Sequence, residues 1–287
     1  MTPVNLILLV LSVSFETIKN IFNNNFSKNN LKNQTDIYKF GFFTYIASFV
    51  VLLFFKSDGC SLYTVVLAVF FAALLALNQY FFIKALSTGP LGFTNFIQGI
   101  SLLIPTFFGI IFWNEKISHT QIIFLVVLVL SLFWALNIKV EKNNIKWWLF
   151  SILTMLTIGF IGVVQSLHQM SDAKSELMAF LKIAFLLTTV FYFVMWTYYE
   201  RKEKSGFSIK SVAVVQSSLS GAFMGGVHII NLYLSGAMPK VVFFPVSNGG
   251  LILLNLILSV LLFREKINYK QWIGMIVGIV SLCFIGM

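Results

Sequence analysis

Long apolar segments alternate with short polar ones along the whole chain. The apolar segments lie at about 4–24, 38–55, 62–86, 90–113, 120–138, 145–168, 177–199, 211–235, 241–263 and 269–286. A helix that crosses the hydrocarbon core of a bilayer needs roughly 20 residues, which is close to the length of these segments. The segments are continuous rather than alternating, and they are longer than the strands of a membrane β-barrel. The pattern predicts an all-α polytopic membrane protein with ten transmembrane helices.

The composition excludes a soluble globular domain. Of the 287 residues, 58% are hydrophobic and only 10% are charged, with a mean hydropathy of +0.89. A soluble domain carries roughly 45–50% apolar and about 25% charged residues. The net charge of +10 would indicate nucleic acid binding in a soluble protein, but here the basic residues lie mostly between apolar segments, as membrane proteins place them. We expect a multi-pass protein of the plasma membrane, with the bilayer and no nucleic acid as partner.

Two kinds of irregularity are expected along the helices. Pro105 and Pro245 lie inside predicted spans, where a proline kinks or unwinds the backbone. The longest polar stretches, at 23–36 and 199–208, are predicted to be loops. The remaining connections are short.

The chain contains an internal repeat. Segment 91–123 aligns with segment 241–273 at a constant offset of 150 residues and without a gap. Chance similarity among Leu- and Phe-rich helices would not conserve polar positions at one offset, so we interpret the alignment as a duplication. The matched residues are Glu115-Lys116-Ile117 with Glu265-Lys266-Ile267, Gln98 with Asn248, Gly99 with Gly249 and Gln121 with Gln271.

The repeat divides the chain into two five-helix halves, about 1–140 and 141–287. Because five is odd, the second half would enter the membrane from the opposite side. Such inverted repeats are typical of secondary transporters, which bind their substrate near the bilayer midplane between the halves. The sequence therefore predicts two inverted five-helix repeats with a site at their interface.

The repeated segments resemble a known family. The first half reads ALSTGPLGFTNFIQGISLLIPTFFGIIFWNEKI and the second YLSGAMPKVVFFPVSNGGLILLNLILSVLLFREKINYKQWIGMIVGIVSL. A turn, a span with an internal proline, an E-K-I motif and a Gly-containing last span are similar to the EamA repeat of the drug/metabolite transporter superfamily. The resemblance covers the chain as two copies, with Asn255 standing where the first half has Pro105. It implies secondary transport and names no substrate.

Glu16 and Lys19 are the candidate binding residues of the first span. A charge at the bilayer centre costs roughly 2.5–3.5 kcal/mol on insertion scales, so it needs compensation or a function. The two residues are three apart and share a helix face. They can neutralise each other, or Glu16 can bind a cationic group or a proton. Glu16 also lies in LSVSFETIKN, which resembles the first helix of small multidrug resistance proteins.

Other polar residues at depth complete the predicted substrate site. Amides in hydrocarbon must find partners, so each one alone is best explained by a hydrogen bond between helices. Taken together, stripes in both halves predict a shared polar cavity. A buried histidine can also exchange protons, which makes His228 a second proton-coupling candidate beside Glu16. The predicted substrate-binding residues are Glu16, Lys19, Asn78, Gln98, His228, Asn231 and Asn248.

Neither an enzyme nor a metal or cofactor site is expected. The sequence has no H-E-x-x-H, P-loop or G-x-S-x-G motif, and Cys60 and Cys283 do not have metal-ligand spacing. A channel is disfavoured because no filter loop is evident. The orientation stays open, because the basic loops place both termini outside whereas the family resemblance places them inside.

The sequence leaves three possible functions. The first is a monomeric or homodimeric secondary transporter that moves a small polar metabolite, such as an amino acid or amine, by alternating access and with proton coupling. The second is a proton-coupled exporter of organic or quaternary cations that uses Glu16. The third is a membrane scaffold that transports nothing and should have no central cavity.

Overall fold

The computed structural model describes residues 2–89, 91–135, 145–203, 211–263 and 269–286, and every regular element in these ranges is helical. The helices are α1 (Pro3–Asn29), α2 (Gln34–Leu53), α3 (Leu62–Thr88), α4 (Leu91–Ile100), α5 (Leu103–Phe112), α6 (His119–Ala135), α7 (Ile145–Gln169), α8 (Leu177–Glu203), α9 (Ser211–Ala237), α10 (Lys240–Phe263) and α11 (Tyr269–Ile285), with a short 3-10 helix at Asp172–Glu176.

Seven helical segments among the described residues are long and apolar enough to cross a membrane, and three further apolar helices are shorter. Many large apolar side chains point outward from the bundle; Phe54, Leu62 and Ile145, for example, are about four-fifths exposed. A soluble monomer rarely exposes apolar surface on this scale. The chain is therefore a helical membrane protein, as its hydropathy predicted.

The fourth apolar segment is broken in two. Helix α4 ends at Ile100 and α5 begins at Leu103, with short turns between them in which Leu102 N donates to Gly99 O at 3.1 Å and Ile104 N to Ser101 O at 3.0 Å. Pro105 has no N–H with which to bond the Ser101 carbonyl. The interruption predicted at Pro105 is therefore present.

Pro245 behaves differently from Pro105. Helix α10 continues through Pro245 without interruption, so of the two predicted effects, a kink or an unwound backbone, unwinding does not occur there. Pro245 lies in the second turn of α10, and the missing bond would go only to the carbonyl of Val241, near the start of the helix. The same residue type thus breaks one helix and is accommodated in another.

The two longest polar stretches, 23–36 and 199–208, are more helical than predicted. Helix α1 runs to Asn29, so the connection to α2 is only residues 30–33, and the loop prediction for 23–29 is wrong. Asn23 and Phe26 explain the extension, because both are buried and Phe26 stacks on Phe40 at 4.1 Å. These contacts override the low helix propensity of asparagine. In the second stretch, residues 199–203 are helical and 204–208 lie outside the described residues.

The helices pack in a regular network. Helix α1 packs on α9, α2 on α8 and α9, α3 on α7 and α8, and α6 on α11. The broken pair α4 and α5 packs on α7 and α10, and α10 also contacts α1. Helices α1, α3, α4, α5, α7, α9 and α10 surround the middle of the bundle, whereas α2, α6, α8 and α11 lie further out.

Helices α2 and α9 approach each other closely at Gly221. A Cβ atom at this position would overlap the carbonyl oxygen of Thr44. Nearby, Ser48 Oγ donates to the carbonyl of Gly221 at 2.7 Å. Membrane helices associate through close approaches of this kind, because lipid supplies no hydrophobic drive to bring them together.

We therefore predict that Gly221→Ala destabilises the protein strongly, because the backbone of Thr44 cannot move aside as a side chain would. Overpacking of this kind costs about 1–3 kcal/mol or more. Gly250→Ala is the matched control, since the nearest atom to its added Cβ would be Val13 Cγ2 at 3.8 Å. Thermal unfolding in detergent should show a lower melting temperature for the first variant only. Equal melting temperatures would contradict the close contact.

Candidate functional site

A cavity with many polar side chains in its wall lies in the middle of the bundle, where the inner helices face each other. The volume of the cavity that the centres of water-sized molecules can occupy is about 70 Å³. One water needs roughly 10–15 Å³ on this measure, so the cavity has room for several. All seven side chains predicted from the sequence lie on its wall. The wall consists of Ser12, Val13, Glu16, Lys19, Leu75, Asn78, Gln98, Gly99, Ser101, Pro105, Ile158, Ile161, Gly162, Gln165, Met224, Val227, His228, Asn231, Phe243, Phe244, Ser247, Asn248 and Leu251.

The charges of the cavity are a single ion pair on α1. Lys19 Nζ lies 2.5 Å from Glu16 Oε1, and the two side chains are 9% and 13% exposed. The pair is one helical turn apart, so α1 alone fixes its geometry. It places a carboxylate and an ammonium side by side in the wall of the cavity.

His228 is held in place by a glutamine and two aromatic rings. The Gln165 amide nitrogen lies 3.2 Å from His228 Nδ1. With the amide donating to Nδ1, the proton of the imidazole is on Nε2. The rings of Phe71 and Phe185 meet the imidazole edge-on at 5.6 and 5.4 Å. His228 thus offers one N–H donor in a rigid position on the wall.

Three predicted amides tie helices together. Asn231 Oδ1 accepts from Ser12 Oγ at 2.5 Å, and Asn78 Nδ2 donates to Thr157 Oγ1 at 3.0 Å. Asn248 Nδ2 makes a longer contact of 3.5 Å with Ser101 Oγ. Each bond joins residues 1–140 to residues 141–287. These amides border the cavity and also connect the helices around it.

Gln98 differs from the other predicted amides. It is 4% exposed, and its Oε1 has no hydrogen-bond partner among the described atoms. Gln98 lies on α4, just before the helix break at 101–102, and its side chain reaches the cavity. An acceptor without a protein partner is available to a ligand or to water.

Two parts of the cavity wall could not be identified from the sequence, namely Gln165 and the pair Phe243 and Phe244. Gln165 is a buried partner of His228, although its position in a predicted span gave no reason to prefer it over other amides. The aromatic rings of Phe243 and Phe244 form part of the wall, and no pattern separated them from the many other Phe residues. Both become identifiable only when α7 and α10 are packed against α1.

A second ion pair lies one turn beyond the cavity, where α5 ends and α10 begins. Lys240 Nζ lies 3.2 Å from Glu115 Oε1, and Glu115 Oε2 accepts from the backbone N–H of Val241 at 3.1 Å. Lys240 Nζ also lies 5.4 Å from the centre of the Trp113 ring. Asn114, with a φ of +51°, turns the chain so that Glu115 reaches this position. The end of α5 and the start of α10 are therefore joined here by charge.

Buried amides continue from the cavity in the opposite direction. Asn20 and Asn23 on α1, Gln79 on α3 and Asn95 on α4 are between 0% and 4% exposed, and we call them the amide row. Six of their side-chain nitrogen and oxygen atoms have no hydrogen-bond partner among the described atoms. Each such atom costs about 1–3 kcal/mol, so together they would offset much of a free energy of unfolding of about 5–15 kcal/mol.

No group of three or more His, Cys, Asp or Glu side chains that could hold a metal ion occurs within the described ranges. The donors around the cavity are amides, hydroxyls, one imidazole and one ion pair. Such groups can bind polar organic molecules through hydrogen bonds and charge.

Comparisons with known proteins identify the fold but no function. No protein-family model matches the chain, and no curated protein does. Among the solved structures, 28 chains are similar. One of them, described only as "Crystal structure of protein", superposes with a TM-score of 0.73 at 9% identity and covers 99% of this chain and 96% of its own. The whole chain therefore has a fold that occurs in an experimentally determined structure.

We predict that Glu16 and Lys19 stabilise the protein only as a pair. Either Glu16→Gln or Lys19→Met leaves one buried charge without its partner, and breaking a buried pair costs about 3–5 kcal/mol. The double variant removes both charges and should be more stable than either single variant. Melting temperatures of the four proteins measure this coupling.

A matched cycle provides the control for this prediction. Glu200 pairs with Lys39 at 3.1 Å and does not border the cavity. Combining Lys19→Met with Glu200→Gln should give the sum of the two single effects, because the residues share no partner. An additive result for Glu16 and Lys19 as well would show that the pair contributes no coupling.

Proposed function

We propose that the protein is a secondary transporter that moves a small polar metabolite across the membrane by alternating access. The observation that carries the proposal is the central cavity, whose wall holds a carboxylate, an ammonium, an imidazole and several amides inside an apolar bundle. Polar groups at such depth are costly and usually mark a substrate or ion pathway.

We further propose that the fold consists of ten membrane spans in two inverted five-helix repeats, 1–140 and 141–287. The seven long apolar segments and the three shorter apolar helices supply the ten spans. The repeat pairs α1 with α7, α2 with α8, α3 with α9, α4 and α5 with α10, and α6 with α11.

The packing of the helices supports this pairing. Exchanging the two halves converts the α1–α9 contact into α7–α3, α2–α9 into α8–α3, and α1–α3 into α7–α9, and all of these contacts occur. The cavity wall has the same symmetry. Helices α1, α3 and α4–α5 line it together with their counterparts α7, α9 and α10. A site at such an interface is where rocking of the halves would expose it to each side in turn.

The ion pair favours a zwitterionic substrate. The amine of the substrate can bind Glu16 while the carboxylate of the substrate binds Lys19. Each charged side chain then loses its partner in the ion pair and gains an opposite charge from the substrate. Amino acids and related amines that carry an acid group have this arrangement. Gln98 Oε1 and the imidazole N–H of His228 add an acceptor and a donor beside the pair.

The two alternatives fit the geometry less well. An organic cation that bound Glu16 would displace Lys19, which lies 2.5 Å from Glu16 Oε1, and would leave that buried ammonium without a partner, whereas a zwitterion also supplies a carboxylate for it. A scaffold without transport needs no polar cavity, whereas a polar cavity is present. The EamA-like repeat is consistent with transport in the plasma membrane by a monomer or homodimer.

We expect purified protein in proteoliposomes to take up at least one radiolabelled amino acid from a panel of the common ones. Glu16→Gln should lower the initial rate about tenfold or more, because an uncharged amide loses one charged contact, and ~1.4 kcal/mol corresponds to tenfold. The double variant Glu16→Gln/Lys19→Met should be equally defective even though its charges balance. This separates loss of binding from loss of folding.

Glu200→Gln is the control for the transport measurement, because it removes the same charge from a similarly buried pair outside the cavity. It should transport at nearly the wild-type rate. Uptake that is unaffected by Glu16→Gln at every pH would remove Glu16 from the mechanism. Proton release on addition of tetraphenylphosphonium, without amino acid uptake, would favour the cation exporter.

A further inference from the structure

The amide row lies between the cavity and one end of the bundle. At that end the last turn of α1 touches α3, where Ser27 Oγ donates to Ile83 O at 3.2 Å and Lys28 Nζ to Gly89 O at 2.9 Å. The chain turns from α3 into α4 at the same place. The end of α1, the end of α3 and the start of α4 therefore meet there.

Each helix of the row carries an amide beyond one of its cavity residues, on the side of this end. Asn20 follows the cavity residue Lys19, Gln79 follows Asn78, and Asn95 precedes Gln98 by three residues. Because α4 runs away from this end while α1 and α3 run toward it, all three amides are displaced from the cavity in the same direction. Asn23 lies almost one turn further along α1.

Fixed packing does not account for these side chains. Buried amides in a settled interface are paired, as Asn78 and Asn231 are beside the cavity. In the row, Asn20 and Asn95 have neither their nitrogen nor their oxygen bonded by the described residues, although both are at least 95% buried. Such groups need a partner outside the described residues, such as water or a solute.

The opposite end of the cavity has a different character. There Glu115 and Lys240 bind each other, and the remaining Glu115 oxygen bonds the Val241 N–H. The charged groups at that end are satisfied, and the buried hydroxyl of Ser166 on α7 is the group there without a partner among the described atoms. Of the two ends, the one with unsatisfied amides has more to gain from contact with water or solute.

We propose that the amide row is a second polar binding region, through which a solute passes between the cavity and the end of the bundle marked by Lys28 and Gly89. Its side chains are uncharged and offer both donors and acceptors, so it can hydrogen-bond the ammonium and carboxylate groups of a passing zwitterion as well as water. The proposal rests on the proposed transport function and extends it by assigning a route.

Cysteine labelling tests the route without knowledge of the substrate. In a background of Cys60→Ser and Cys283→Ser, the variants Asn20→Cys and Asn95→Cys are treated in proteoliposomes with a membrane-impermeant cationic methanethiosulfonate. Both should react at least about tenfold faster than Ala85→Cys. Ala85 is the matched control, because it is fully buried on α3 and lies nearer to the same end than Gln79 does. Equal rates would overturn the proposal, since fraying of that end would expose Ala85 as well.

Apolar substitution separates a route from structural packing. Gln79→Leu removes a buried amide whose nitrogen has no partner among the described atoms. Its melting temperature should therefore equal or exceed that of the wild type, while uptake of the transported amino acid falls about fivefold or more. A lower melting temperature, or unchanged uptake, would overturn the role of Gln79 in the route. If the wild type transports no amino acid while the labelling pattern is as expected, the proposed substrate class fails and the hydrated route stands.

Discussion

The cost of burying polar groups in hydrocarbon is the constraint on which the arrangement of this protein depends. Glu16 and Lys19 each would be expensive on an isolated membrane helix, but one turn of α1 brings them together and turns them toward a cavity. The outer surfaces of the bundle are apolar and meet lipid. Polar side chains are consequently concentrated where helices face each other, and the interior of the bundle is more polar than its exterior.

The same constraint determines how the halves of the chain are joined. Asn231 bonds Ser12, Asn78 bonds Thr157, and Asn248 contacts Ser101, and each of these links crosses from residues 1–140 to residues 141–287. Hydrogen bonds between membrane helices contribute well under ~2 kcal/mol each. Contacts of this strength position the inner helices and can still be exchanged for others. The close fit of Gly221 on Thr44, by contrast, leaves no room for adjustment.

The apolar segments and the list of polar residues at depth could be predicted from the sequence, because both follow from local composition. The helix ends could not, since the extension of α1 through Asn23 and Phe26 depends on contacts with other helices. The effect of proline could not be predicted either. The helix is interrupted just before Pro105, whereas α10 is continuous at Pro245.

Within the candidate site, the sequence identified side chains but not their partners. All seven predicted residues border one cavity, because expensive groups gather where water or solute can reach them. Which amide is bonded and which is unsatisfied depends on the helix that packs opposite. Asn78 meets Thr157 on α7, whereas its neighbour Gln79 meets no partner for its nitrogen, and no sequence pattern distinguishes the two.

The two matched segments, 91–123 and 241–273, are similar in sequence and different in shape, and this difference bears on the proposed cycle. Helices α4 and α5 are separated by a break at the cavity, whereas α10 is continuous. Two identical repeats in identical conformations would make the two ends of the cavity equivalent, so both would be open or both closed. In an inverted-repeat transporter, the repeats must differ in conformation at any moment for one end to be closed while the other opens. The broken helix in one half and the continuous helix in the other provide such a difference, next to the residues that would hold the substrate.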